Sequence, residues 1–411
     1  MLQQRIRKLY RFESPSVNDW VIYFTAFIIL QIPAIINFYY NDGVNNPYTF
    51  FAQSLLHGNL TLPPMNSYGD MIFYHGSYYL PYPPLPSLIL APFVAIFGVN
   101  QVNTVAIATI MACISLYLIY KILLRLQIVQ EYFNWLVLAV IFGTGYWFAL
   151  FTSHHVYAFA HITSFVFQLL IINEILGKRR WWLVGVYIGC SFLTRQFTIF
   201  YVVFALGYML YLHQNQQERI KIKNILTLFI SIGLFVAVYL AYNYIRFGSI
   251  FDTGYKHIIY IGVLKERVNE YGVFNIRYFL FNLYSFLIKG FNIEFQGKDY
   301  LAIKDMDLWG TSLLAASPFL IASLKAGWPK ILKVSAWLTI ILILTGQLFY
   351  HNNGFHQINT SRFSLDFLPL LILLTALGVN HLPKWLFKGL VIYAVLLNII
   401  SFLIHSIYQV R

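Results

Sequence analysis

The side chains of this sequence that are equipped for chemistry are ionisable residues set inside, or at the edge of, apolar stretches. An arginine or aspartate at the midplane of a bilayer costs about 2.5 to 3.5 kcal/mol even on the lenient insertion scale, so such residues are seldom idle. They are Arg195 in FLTRQF, Arg246 in YNYIRFG, Arg362 and Asp366 in SRFSLDFLP, and His154, His155 and His161 in FTSHHVYAFAH. Arg195 interrupts the apolar run from Trp181 to Tyr211. A guanidinium makes paired, charge-assisted hydrogen bonds to phosphate. Three arginines with a histidine pair at one face therefore read as an anion site. Taken singly, each has a blander reading: Arg246 and Arg362 as boundary residues snorkelling to headgroups, and His161 as a packing residue.

Asp42 and Asp70 are the only acids between Asn41 and Gly98. Either can serve as a general base toward a hydroxyl, although NDG and YGD also invite Asx turns. Beside them stands the run Tyr79-Leu80-Pro81-Tyr82-Pro83-Pro84-Leu85-Pro86. Its prolines forbid a regular spanning helix. There is no Gly-rich phosphate loop, HExxH, GxSxG or CxxC, so ATP-driven transport and soluble-type hydrolysis find no support.

The elements that must hold these residues follow from composition. The chain of 411 residues is 59% hydrophobic and only 10% charged, which is the composition of an all-α polytopic membrane protein. Its net charge of +13 fits cytoplasmic loops facing anionic lipid, and nucleic acid is not an expected partner. Cys113 and Cys190 both fall in apolar segments and read as small core residues, not as a disulfide or metal pair.

Residues 1–19 form a basic cytoplasmic arm, and residues 20–405 a single transmembrane domain. Spans are expected at 20–37, 101–124, 131–151, 155–176, 181–194, 196–212, 224–245, 309–326, 329–349, 362–379 and 386–405, about eleven in all. Residues 48–57 and 85–97 are too short to span and read as two interfacial helices in the first outer loop, 38–100. Putting the second of them in the membrane would invert everything after it. The clusters Lys121/Arg125, Lys178/Arg179/Arg180, Arg219/Lys221/Lys223, Lys325/Lys330/Lys333 and Lys384/Lys388 would then lie outside, against the positive-inside rule. A second outer loop runs over 246–308 and contains an amphipathic stretch from Arg277 to Phe291.

The order of these features resembles the GT-C superfamily of integral membrane glycosyltransferases, the group containing polyprenyl-phosphate-mannose protein mannosyltransferases and aminoarabinose transferases. The likeness is carried by AQSLLHGNL (52–60), YHGSYYLPYPPLPSLILAPFVAIFG (74–98), FTSHHVYAFAH (151–161), GVYIGCSFLTRQ (185–196), YNYIRFGSIFDTGY (242–255) and SRFSLDFLPLL (361–371). Each is a loose pattern, and their order is more specific than any one of them. The resemblance implies a GT-C type fold in the cytoplasmic membrane with its active site on the outer face. It implies a sugar on a polyprenyl phosphate as donor and an acidic catalytic base in the first outer loop, here Asp42. Family members place that acid closer to the AQSLL-like helix, where this chain has Val44, Asn45 and Asn46, and Asp70 stays open as the second candidate.

On this reading Arg195, Arg246 and Arg362, with His154 and His155, hold the carrier phosphate, and Tyr79 and Tyr82 form a substrate platform. The blander role for the tyrosines is an interfacial aromatic belt. A glycan, a lipid or a protein supplies the acceptor hydroxyl. No cofactor is required. A divalent cation on Asp299, Asp305 or Asp307 is a less favoured addition, since lysines surround them. The rival class is a transporter or flippase for a lipid-linked glycan, and the sequence lacks the internal symmetry common among transporters.

Overall fold

The computed structural model describes residues 17–40, 46–63, 71–219, 221–354 and 359–409. In chain order these form α1 (Val17–Tyr40), α2 (Pro47–Leu56), the hairpin β1 (Ile72–Tyr74) and β2 (Ser77–Tyr79), α3 (Leu85–Phe97), α4 (Thr104–Arg125), α5 (Phe133–Phe142), α6 (Tyr146–Phe151), α7 (Val156–Ile175) and α8 (Trp181–Phe192). There follow α9 (Tyr201–Gln214), α10 (Ile222–Phe247), α11 (Gly262–Tyr271), α12 (Phe279–Leu287), a second hairpin of β3 (Ile293–Gln296) and β4 (Ala302–Met306), α13 (Leu313–Ala316), α14 (Lys330–Leu348), α15 (Leu368–Gly378) and α16 (Lys384–Gln409). Among the described residues, six helical stretches are long and apolar enough to cross a membrane: Thr104–Arg125, Val156–Ile175, Gln196–Gln214, Ile222–Phe247, Lys330–Leu348 and Lys384–His405. This is an all-α polytopic membrane protein.

Local chemistry explains where the helices start and how closely they approach. Asn46 caps α2 by accepting from the Tyr48 amide at 3.0 Å, with Pro47 at the first helical position. Asn103 caps α4 in the same way, accepting from Val105 and Ala106. Gly185 and Gly189 lie one turn apart on α8, where α10 packs. A Cβ at Gly185 would stand 2.5 Å from the Leu228 carbonyl, and one at Gly189 would stand 2.3 Å from the Phe235 ring. Small residues at that spacing let two membrane helices touch backbone to backbone.

Several of the expected spans are not single helices. The stretch 131–151 breaks at Gly143–Gly145 between α5 and α6, and 309–326 consists of short α13 followed by a 3-10 turn, Pro318–Lys325. The break frees carbonyls that water cannot reach, and neighbouring side chains satisfy them. Ser317 Oγ donates to the Gly143 carbonyl at 2.6 Å, and Asn398 Nδ2 donates to those of Phe142 and Thr144 at 2.7 and 3.3 Å. Asn398 Oδ1 in turn accepts from Asn359 at 2.6 Å. Replacing Asn398 with Leu leaves this set of buried groups unpaired, at about 1 to 3 kcal/mol for each group stranded. The expected result is a clearly lower melting temperature in detergent; an unchanged one would show that the break is held elsewhere.

The bundle has two chemically different ends. At one end Arg180 makes a two-bonded pair with Glu174, and Lys384 and Lys388 pair with Glu131. At the other end α2 packs on α3, as the sequence reading requires of the two short helices. The β1–β2 hairpin docks there on the chain after α10. Ile72 bridges Ile258, and the Ile259 amide donates to the Met71 carbonyl at 3.3 Å. Gly254, at φ +83, allows that approach, since a Cβ would meet Ile72 at 2.5 Å and the Phe247 ring at 2.8 Å. Asp252 braces the same turn by accepting from the Gly254 amide at 3.0 Å and pairing with Lys256 and His257.

Candidate active site

Arg195 and Asp366 form the centre of the second end. Arg195 sits in extended backbone between α8 and the 3-10 turn Gln196–Phe200, and Asp366 closes the 3-10 turn Arg362–Asp366 just before α15. The guanidinium grips the carboxylate from one edge: Nε lies 3.1 and 3.2 Å from the two oxygens and Nη2 lies 2.9 Å from Oδ2. Gln347 Nε2, from the last turn of α14, donates to Asp366 Oδ2 at 3.0 Å, and His161 Nδ1 on α7 stands 3.2 Å from Oδ1. Four elements thus converge on a carboxylate that is 1% exposed. The other edge of Arg195 is left over, because Nη1 makes no hydrogen bond among the described residues. The Phe363 ring lies beneath the guanidinium at 5.0 Å.

From Phe363 an aromatic arc runs back to α2. Tyr48 neighbours Tyr82 at 6.4 Å between ring centroids, Tyr82 neighbours Tyr255 at 6.3 Å, Tyr255 neighbours Tyr350 at 6.3 Å, and Tyr350 neighbours Phe363 at 6.1 Å. Tyr48, Tyr255 and Tyr350 lie within electrostatic reach of Arg195. The arc draws on α2, the proline-rich run, the chain after α10 and the chain after α14. A guanidinium edge ringed by phenols can bind an oxyanion and offers flat faces to a sugar.

The remaining expected residues fall into two flanking groups. Arg246 is buried at the end of α10, donating to the Leu80 carbonyl at 2.7 Å and to Asn243 Oδ1 at 3.0 Å while lying 3.5 Å over the Tyr242 ring. Tyr79 packs beside it on Phe247 at 5.6 Å, whereas Tyr82 belongs to the arc. In the other group Arg362 is buried, donates to the Gly354 carbonyl at 2.7 Å and covers the Tyr157 ring at 4.0 Å. His155 stacks on Tyr157 at 5.2 Å and touches His154 at 4.1 Å, with burial holding the His154 imidazole below its usual pKa. Asn46 and Thr104 both donate to the Ser153 carbonyl, at 3.1 and 2.9 Å, and so fix this turn against α2 and α4. Asp42 and Asp70 lie outside the described residues.

The acids of the second loop are engaged locally. Asp307 pairs with Lys289 and accepts from the Trp309 amide at 2.8 Å. Asp305 accepts from its neighbour's amide at 2.7 Å and faces His405 at 3.4 Å. Among the described residues no three His, Cys, Asp or Glu side chains gather as a metal site.

Sequence reasoning missed Tyr48, Tyr255, Tyr350 and Gln347. The tyrosines are hidden among 31 of their kind. Gln347 left a usable signal, a lone amide near the end of an apolar run. Asp366 left a stronger one, a second charge in the membrane, opposite in sign to Arg195.

His351, beside Tyr350, carries a pH dependence. It is 1% exposed; its amide donates to the Val273 carbonyl at 3.0 Å and its own carbonyl accepts from Arg267 at 3.1 Å. Burial pushes the imidazole down to about 4. The unfolded chain therefore takes up a proton below about pH 6.5 that the folded chain refuses until about pH 4. The contribution of this neutral histidine is full above pH 6.5 and is lost progressively as the pH falls toward 4. Melting in detergent across that window is expected to drop for the wild type and to drop less steeply in His351→Asn; parallel curves would refute the assignment.

Comparison with known proteins agrees with this architecture. Residues 82–242 match the family model described as dolichyl-phosphate-mannose-protein mannosyltransferase. Among solved structures, ArnT from Cupriavidus metallidurans bound to undecaprenyl phosphate aligns with a TM-score of 0.50 at 11% identity, over 90% of this chain and 62% of that one. The apo form of the same protein gives 0.50 at 10% identity, over 91% and 62%. This chain thus spans less than two thirds of the ArnT chain. No curated protein matches it in sequence. The chain shares its overall fold with ArnT and is a multi-pass membrane protein.

Proposed function

We propose that this protein transfers one sugar from a polyprenyl-phosphate carrier to an acceptor hydroxyl, with inversion, on the outer side of the cytoplasmic membrane. The observation that carries the reading is the edge of Arg195 left unbonded among the described residues, set by Asp366, with an arc of tyrosines from four parts of the chain beside it. The family match and the fold support the reaction class. The basic clusters at the opposite end of the bundle support a cytoplasmic N-terminus and an outward site.

In the reaction the acceptor oxygen attacks the anomeric carbon as the bond from that carbon to the phosphate oxygen breaks. The electron pair leaves with the polyprenyl phosphate, and the acceptor proton passes to a carboxylate, with Asp42 proposed and Asp70 as the alternative. Charge grows on the leaving phosphate, where Arg195 acts. A phosphate leaving group needs no general acid, so one carboxylate suffices and no cofactor enters. A glycan, a lipid or a protein supplies the hydroxyl, and the sugar is a hexose or a pentose. Arg246 and Arg362, with His154 and His155, complete the anionic surroundings from the flanks.

The test is transfer by purified protein in detergent from a panel of polyprenyl-phosphate sugars, read as release of polyprenyl phosphate, with Asp42→Asn and Arg195→Ala alongside. Release abolished by both substitutions establishes the transferase and its base. Release that survives in Asp42→Asn moves the base to Asp70. A wild type that binds lipid-linked glycans but releases nothing from any donor is a flippase instead.

A further inference from the structure

The buried hydroxyl of Tyr48 is without a hydrogen-bond partner among the described residues. The residue is 0% exposed. Leaving a buried donor unmade is destabilising by the full desolvation of the group, so an unpaired phenol in a packed wall calls for an explanation. The ring is rigidly placed. It packs against Phe159 at 6.3 Å and Tyr82 at 6.4 Å, and its backbone is fixed by the Asn46 cap, which is itself fastened to the Ser153 carbonyl. Arg195 lies within electrostatic reach of the phenol and turns its unbonded Nη1 edge away from Asp366.

We infer that the Tyr48 hydroxyl is a second donor beside Arg195, held ready for a phosphoryl oxygen of the carrier. The inference rests on the donor class proposed above and assigns a binding residue within it. Arg195 supplies charge from one side, and Tyr48 supplies a neutral, directional hydrogen bond from the other. An unpaired donor matches an anionic oxygen, which has several lone pairs and no proton to offer.

The experiment is binding of undecaprenyl phosphate and of the uncharged polyprenol to wild type and Tyr48→Phe in detergent, together with melting of each protein alone. The substitution keeps the ring and removes only the oxygen. The expected result is an affinity for the phosphate weaker by about ten-fold or more, an unchanged affinity for the alcohol, and a ligand-free melting temperature that does not fall. Wild-type binding of the phosphate with equal binding by Tyr48→Phe overturns the inference and leaves the donor class standing. A lower ligand-free melting temperature with both ligands weakened overturns it too, since the hydroxyl would then be structural. A wild type that binds no polyprenyl phosphate overturns the donor class itself and this inference with it.

Discussion

Replacing Asp366 by Leu is expected to remove about 3 to 5 kcal/mol of stability, because it strands the Arg195 cation in a buried site without its counter-charge. Gln347 Nε2 loses one of its two acceptors in the same stroke, and His161 its close carboxylate neighbour. The double variant Arg195→Met/Asp366→Leu is expected to recover most of that loss, since an apolar pair of similar volume replaces a buried ion pair at little net cost. Sugar transfer is expected to stay absent in both. Melting in detergent and release of polyprenyl phosphate, measured on the same preparations, separate the two roles of the pair. If the double variant melts as low as the single one, charge compensation is not what Asp366 supplies. If it regains transfer, Arg195 is not the phosphate donor.

Arg246→Lys is the second large effect, and it runs against the habit of treating the two cations as equivalent. The guanidinium carbon lies 3.5 Å from the centre of the Tyr242 ring while its nitrogens reach the Leu80 carbonyl at 2.7 Å and Asn243 Oδ1 at 3.0 Å. A lysine is a point charge on a flexible stem and cannot stack and fork at once. The expected loss is about 2 to 3 kcal/mol, nearly as large as for Arg246→Ala, and binding of the carrier is expected to weaken as well. Leu80 sits between Tyr79 and Tyr82, so freeing its carbonyl loosens the proline-rich run that brings Tyr82 into the arc. Wild-type stability in the lysine variant would show that charge alone holds this joint.

The broad architecture was legible because composition and charge asymmetry act over the whole chain. Low charge called for spans, the proline run forbade one, and two short apolar segments emerged as α2 and α3 packed on each other. The broken spans were not legible. Gly143 and Gly145 look like ordinary membrane glycines until Ser317 and Asn398 are seen to satisfy the carbonyls they expose. Within the site, Arg195 announced itself by interrupting an apolar run. Its partner Asp366 is 171 residues away and no local pattern joins them. Arg246 and Arg362 carried the same sequence signal as Arg195, yet each donates to a main-chain carbonyl and lies over an aromatic ring. Periodicity and spacing cannot tell an arginine facing a ligand from one facing a peptide bond.

Those carbonyl joints have an evolutionary consequence. Asn46 and Thr104 meet at the Ser153 carbonyl, Arg246 meets that of Leu80, Arg362 that of Gly354, and Asn398 those of Phe142 and Thr144. In each case one partner is a side chain and the other is backbone, which every residue type supplies. Selection then bears on a single position at a time, and the residue across the joint is free to drift without a matching change. Pairs of positions changing together would not mark these contacts. A fold built this way can tolerate the loss of nearly all recognisable sequence while its helices stay in register; this chain and ArnT share a fold at 11% identity.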